Sequence, residues 1–266
     1  MKNSLGHRRS LKYRVKEIAK HVVTAAGYEV RRTKELPRQA DDIRHAEIFP
    51  AATYSPWLSD GDFQRVFNVV QSSTLVDRYR CYELWQLVSE AAKLEDGDFL
   101  EVGVWRGGTG ALIASKCKLL GIQNTVYLCD TFRGVVKAGE RDSTYSGGEH
   151  ADTSKEAVLG LCDRLSLDRV QVLEGIFPDD SGVLLRDRPF RFCHVDVDVY
   201  ASARDIVNWM WTRLVPGGII VYDDYGFYSC SGITQFVNEE RRKPDRMVVH
   251  NLNGHAVVIK LPGGSI

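Results

Sequence analysis

Residues 99–110, FLEVGVWRGGTG, constrain the fold of this chain more than any other segment. An apolar run carrying one acid, Glu101, enters a turn with glycines at 103, 107, 108 and 110, and the helical pattern ALIASKCKLL follows. A strand, a glycine-rich turn and a helix in that order open a parallel α/β sheet, where backbone N–H groups at a helix start can approach a ligand closely. The spacing is G-x-x-x-G-G-x-G with an acid two residues before the first glycine, which is not the G-x-G-x-x-G of a dinucleotide site.

The rest of the chain repeats the theme. Apolar runs at 99–104, 125–130, 170–175, 191–198 and 219–224 alternate with helical stretches at 108–120, 153–165, 201–213 and 231–242. Such alternation predicts right-handed crossovers and a doubly wound parallel sheet. The ending differs: MVVHNLNGHAVVIKL holds two β-rich runs joined through Asn253-Gly254, a type I′ hairpin signal. Five parallel strands closed by a hairpin predict an α/β, Rossmann-like sheet, and that ending resembles the seven-stranded sheet of class I S-adenosylmethionine (SAM) methyltransferases more than a plain dinucleotide fold.

At 266 residues the chain suits one large α/β domain with appendages. We divide it into an N-terminal segment, 1–74, and a SAM-dependent domain, 75–266. Residues 1–38 carry eleven Lys/Arg against three acids, with Leu11, Val15, Ile18, Val22 and Val23 at helical spacing. This is an amphipathic basic helix, read as a docking or oligomer-contact element more readily than a membrane helix. Residues 36–62 have the composition of a long loop or lid. Leu75–Ala92 read as an amphipathic helix leading into the first strand. A zero net charge argues against nucleic acid, and no run approaches the length of a membrane span. The six scattered cysteines include no C-x-x-C pair, read as small buried hydrophobes in a reducing cytoplasm.

Acids stand at most strand ends, where open α/β sheets bind ligands. Asp130, 27 residues after Gly103, is placed to accept both ribose hydroxyls of SAM or, equally, NAD. A helix cap or loop ion pair is the bland alternative. Gly175 in EGIFPD either lets an adenine lie against backbone near Phe177 or simply makes a turn. Asp196 and Asp198, at i and i+2, point to one face if the strand stays extended. The adjacent fifth strand would bring Asp223 and Asp224 alongside them. Three carboxylates around one point suit Mg²⁺, and the lack of a Cys pair or His cluster argues against zinc. His194 reads as a buried strand residue directed away from this face. The loop 137–152, GERDSTYSGGEHAD and its flanks, reads as a mobile flap, with His150 either a surface residue or a second base candidate. Tyr225, Phe227 and Tyr228 read either as a wall for a planar aglycone or as packing beneath the final helix.

The motifs EVGVWRGGTG, CDTFRG (129–134), EGIFPDD (174–180), HVDVDVY (194–200), LVPGGIIVYDDY (214–225) and GHAVVIK (254–260) resemble those of the TylF/MycF/NovP, or macrocin-type, sugar O-methyltransferases of antibiotic biosynthesis. The resemblance covers roughly 40–262. It implies a SAM-bound, Mg²⁺-dependent enzyme acting on a sugar hydroxyl of a glycosylated natural product, and a homo-oligomer. By that resemblance Asp196, Asp223 and Asp224 hold the metal and Asp198 is the general base. The candidate cofactor-binding residues are Glu101, Gly103, Thr109, Asp130, Gly175 and Asp196. Three competing readings are weaker. A catechol-type methyltransferase would place a Lys three residues after the first metal acid, where Val199 stands. An NAD oxidoreductase fits neither the glycine spacing nor the hairpin. A non-catalytic SAM-binding subunit would not need every acid.

Overall fold

The computed structural model describes residues 43–49 and 51–263. The basic helix expected within 1–38 lies outside the described residues. The chain divides into two units, Met1–Phe49 and Pro50–Ile266. In the first, residues 43–49 have no regular secondary structure. The second carries the sheet and the site.

It begins with a 3-10 turn, Pro56–Leu58, and helix α1, Gly61–Val70, which the sequence reading did not anticipate. Asp60 caps α1 by accepting the Phe63 N–H at 2.9 Å, and Phe63, Val66, Phe67 and Val70 form its buried stripe. Helix α2, Arg78–Ala91, is capped by Asp77, which accepts the N–H groups of Tyr79 and Arg80.

From there the alternation predicted by the sequence appears in full. It runs β1 (Asp98–Val102), α3 (Gly108–Leu119), β2 (Val126–Asp130), α4 (Lys155–Arg164), β3 (Val170–Glu174), β4 (Phe190–Val195), α5 (Tyr200–Trp211), β5 (Leu214–Tyr222), α6 (Ser231–Glu240), β6 (Arg246–His250) and β7 (Ala256–Lys260). The seven strands lie in the order β3-β2-β1-β4-β5-β7-β6. β1 to β5 pair in parallel, and β7 is antiparallel to both β5 and β6. The order reverses direction between β1 and β4, and ligands bind beyond the strand ends at such a switch point.

Two apolar layers sandwich the sheet. On one face Phe99, Leu128, Phe192, Val221 and Val257 pack against α1 to α4; on the other Leu100, Cys129, Cys193, Ile220 and Val258 pack against α5 and α6. Alternate residues of the central strands β1, β2 and β4 thus serve opposite faces, and both faces are buried there. The six cysteines are free and buried within these layers and their margins.

The terminal hairpin corrects one expectation. Pairing ends at His250 opposite Ala256, so five residues make the connection, and positive φ falls on Leu252 and Gly254 rather than on Asn253 and Gly254. The cause is the Asn251 side chain. Its Oδ1 accepts the N–H groups of Asn253 (2.7 Å) and His255 (3.0 Å), organising a wider loop than the two-residue I′ turn. Among the described residues no helix is long and apolar enough to cross a membrane.

Candidate active site

One cavity opens at the carboxyl edge of the sheet and encloses about 1160 Å³ including the solvent at its mouth. Its floor comes from the ends of β1 to β5, its walls from the segment 74–80 and from residues 227–230, and its cover from the loop between β2 and α4.

The β1 end shows why the glycine pattern is needed. Gly103 has φ +87°, and a Cβ there would stand 1.7 Å from the carbonyl oxygen of Asp196. The β1 and β4 turns therefore touch backbone to backbone. Thr109, near the start of α3, lines the same floor. Asp130 ends β2 and accepts the N–H of Trp105 through Oδ2 (2.8 Å) and that of Phe132 through Oδ1 (2.7 Å). Burial raises its pKa, with these backbone bonds acting in the opposite direction. Gly175 (φ +130°) and Phe177 complete this half of the cavity.

Glu101 does not line the cavity. It is fully buried beneath the glycine-rich turn, where Oε1 lies 2.7 Å from His194 Nδ1. The i, i+2 placement that directs Glu101 toward the strand end also puts it against its β4 neighbour in register, Glu101 opposite His194. His194 is in turn not directed away from the acids: its Nε2 lies 3.6 Å from Asp223 Oδ1. Burial opposes protonation of His194, but Asp223 and Glu101 outweigh it and push the pKa up to about 9.

The other half of the cavity holds the acids. Ligand oxygens of Asp196, Asp223 and Asp224 lie within 4.8 Å of one another. β4 ends at Val195, so Asp196 and Asp198 are brought together by a turn and not by strand alternation. Asp198 takes φ +65°, a conformation Asp tolerates better than most residues. Its N–H donates to Asp224 Oδ2 at 3.1 Å, and the Cys230 thiol lies 3.8 Å from its Oδ1.

The acids are not equivalent. Asp223 is ion-paired with Arg80 through Oδ2, and its Oδ1 is 2.8 Å from His255 Nε2. Burial disfavours its charge, yet His194, His255 and Arg80 hold it well below the usual carboxylate range. Asp196 and Asp224 are raised well above that range, first by burial and then by their acidic neighbours. Asp198 is raised by burial, with the Tyr145 hydroxyl and His150 acting in the opposite direction. Carboxylates this buried and this close need a cation or a proton.

The flap is tied down in this conformation. Lys137 bridges Asp179 and Asp205, and Ser202 Oγ donates to Val136 O at 2.8 Å. Ser143 N–H donates to Ser231 Oγ at 3.2 Å, and the Arg106 guanidinium and the Trp105 indole both reach the Asp152 carboxylate. These bonds aim Tyr145 and His150 into the cavity, with Tyr145 Oη 3.5 Å from His150 Nε2. The aromatic trio divides. Phe227 lines the cavity under the Arg80 guanidinium, whereas Tyr225 is buried and donates to Asn238 Oδ1 at 2.8 Å. Arg80, His255, Trp105 and Tyr145 were not singled out in the sequence. Arg80 and His255 lie 143 and 32 positions from Asp223, and no local motif marks them.

A seven-stranded sheet of this order, with a glycine-rich first turn and acids along its carboxyl edge, defines a class I SAM methyltransferase fold. The family model described as macrocin-O-methyltransferase (TylF) matches residues 68–254, and the chain belongs to that family. Mycinamicin III 3''-O-methyltransferase of Micromonospora griseorubida is 29% identical over 176 residues, 59% of this chain and 66% of that protein. Demethyldecarbamoylnovobiocin O-methyltransferase of Streptomyces niveus is 28% identical over 160 residues, 56% of this chain and 60% of that one. The chain thus spans 60% to 66% of the length of these relatives. Among solved structures, the O-methyltransferase NovP superposes with a TM-score of 0.59 at 23% identity, covering 71% of this chain and 82% of NovP. A calicheamicin methyltransferase superposes with a TM-score of 0.59 at 14% identity, covering 80% of this chain and 95% of that one. Both share the fold.

Proposed function

We propose that this chain transfers the methyl group of SAM to a hydroxyl of a deoxysugar on a glycosylated natural product, with Mg²⁺ held by Asp196, Asp223 and Asp224 and with Asp198 as general base. The observation that carries the reading is one cavity with two chemically distinct halves. A glycine and backbone-lined half ends at Asp130, and the other half gathers four aspartates, of which Asp196, Asp223 and Asp224 bring oxygens within 4.8 Å of one another.

The donor set fits a hard cation. Asp196, Asp223 and Asp224 offer oxygen only, and of the three Asp223 alone is ion-paired with Arg80. A divalent cation bound there supplies a Lewis acid that lowers the pKa of a sugar hydroxyl and fixes its direction.

The remaining work falls to the chain's own groups. Asp130, already holding two backbone N–H groups, keeps lone pairs free for ribose hydroxyls. Gly175 leaves space for the adenine edge, with Phe177 beside it. Thr109 and Gly103 let the cofactor approach the start of α3. Asp198 accepts the hydroxyl proton as the methyl group moves. The flap residues Tyr145 and His150 exclude water above the acceptor. Holding two reactants in line supplies much of the acceleration for an already activated methyl donor.

A second assignment of the base has its own support: His150 lines the same cavity and contacts Tyr145. Screening labelled SAM against deoxysugar glycosides, with wild type beside Asp198→Asn and His150→Ala, tests the function and the base together. The relatives' names favour mycinamicin III and demethyldecarbamoylnovobiocin as first members of that panel. A cytoplasmic homo-oligomer is part of the same reading.

A further inference from the structure

His255 opens the approach to β7 and is wholly buried, with each ring nitrogen facing a carboxylate oxygen. Nε2 lies 2.8 Å from Asp223 Oδ1, and Nδ1 lies 2.6 Å from Glu83 Oε2. Glu83 is itself held by the side-chain amide of Asn251, whose Oδ1 accepts the His255 N–H at 3.0 Å. The loop between β6 and β7 therefore fixes both the backbone and the ring of His255. Asp223 Oδ2 meets Arg80, which comes from the same helix α2 as Glu83. Two elements far apart in sequence thus grip one carboxylate from two sides.

A side chain that is fixed before a cation arrives loses no rotamer freedom when it binds, and outer hydrogen bonds of this kind hold metal-binding groups in place. Resting on the cation-site reading above, we propose that His255 is a positioning residue for that site. Its Nε2 edge sets the direction of Asp223 so that this carboxylate faces Asp196 and Asp224, and Glu83 sets the ring. The hairpin that closes the sheet then also tunes the affinity for the cation.

The test is equilibrium binding of Mn²⁺ alone to the full chain, read from the electron paramagnetic resonance signal of free Mn²⁺, with no SAM or acceptor present. Two variants separate the edges of the ring. In His255→Gln the amide nitrogen reaches the position of Nε2, and in His255→Asn it reaches that of Nδ1. Binding of S-adenosylhomocysteine certifies that each variant is folded. Loss of an outer-shell partner typically weakens metal binding about 10- to 100-fold, so His255→Asn should weaken Mn²⁺ by at least about tenfold. His255→Gln should stay within about threefold of wild type, because it keeps the contact with Asp223. Equal affinities in all three proteins, or equal losses in both variants, overturn the proposal. Should either variant fail to bind S-adenosylhomocysteine, Glu83→Ala decides. It frees the ring at a partly exposed position, and wild-type Mn²⁺ affinity there overturns the proposal too. A wild type that binds Mn²⁺ no better than Asp224→Asn instead removes the cation-site reading, and the role of His255 with it.

Discussion

Asp142 Oδ1 accepts the backbone N–H of Tyr200 at 2.9 Å, so the flap supplies the cap that helix α5 lacks. Val199, at the N-cap position, has no side chain able to accept that bond. The contact depends on Gly232 at the start of α6, where a Cβ would stand 1.9 Å from the same oxygen. Gly232→Ala should therefore expel Asp142, at a cost of about 1–3 kcal/mol from overpacking and the lost cap. Denaturant unfolding and limited proteolysis within 137–152 check this. An unchanged midpoint and cleavage rate would show that the flap is not held from α6.

The other flap anchor has a pH signature. Partial burial opposes the charge on Asp205, but Lys137 and Arg204 hold its pKa below the ordinary value. A carboxylate depressed on folding contributes stability that is complete above its unfolded pKa and lost as pH falls through the folded one. The pair is partly exposed, so the contribution is at most about 1 kcal/mol. The difference in unfolding free energy between wild type and Asp205→Asn should be constant from about pH 7 to 5 and shrink below about pH 4. A difference that persists undiminished in acid contradicts the assignment.

Asp130→Ala should weaken S-adenosylhomocysteine binding. The variant removes the proposed ribose acceptor and also releases the N–H groups of Trp105 and Phe132. Lost hydrogen bonds of this type cost about 1–3 kcal/mol, or roughly 5- to 150-fold in affinity. Calorimetric titration giving wild-type affinity in a folded variant would move the ribose elsewhere.

Much of this arrangement was legible in the sequence, and the exceptions have physical causes. All seven strands and the helices between them followed from apolar periodicity and glycine punctuation, because the central strands β1, β2 and β4 are buried on both faces. Helix α1 was missed because its apolar stripe follows directly on a stretch without period. The acids were found from their strand-end positions. The reason given for Asp198 was nonetheless wrong, since β4 stops at Val195 and a left-handed turn does the work of strand alternation. Glu101 and His194 were misdirected for one reason: strand register pairs them across β1 and β4, and register between distant strands is not written locally. Arg80 and His255 share that invisibility, being ordinary helix and hairpin residues until the fold delivers them to Asp223.

Asp198→Asn and Asp196→Asn should separate base from ligand. The first keeps the shape but not the proton acceptor, so turnover should fall about 10²–10⁴-fold with little change in metal or SAM affinity. The second should weaken Mg²⁺, so that added metal partly restores the rate. If His150→Ala is the slow, metal-insensitive variant and Asp198→Asn stays near wild type, the base is the flap histidine.

Under the proposed function, Asp196, Asp223 and Asp224 at the β4 and β5 ends hold a cation that orients a sugar hydroxyl beside SAM, and Asp198 takes its proton. The most direct measurement is methyl transfer from labelled SAM to deoxysugar glycosides, in Mg²⁺ and after EDTA, with S-adenosylhomocysteine affinity measured alongside. Transfer should disappear on chelation and return with Mg²⁺, while the affinity survives throughout. Full turnover by enzyme shown metal-free by elemental analysis would contradict it.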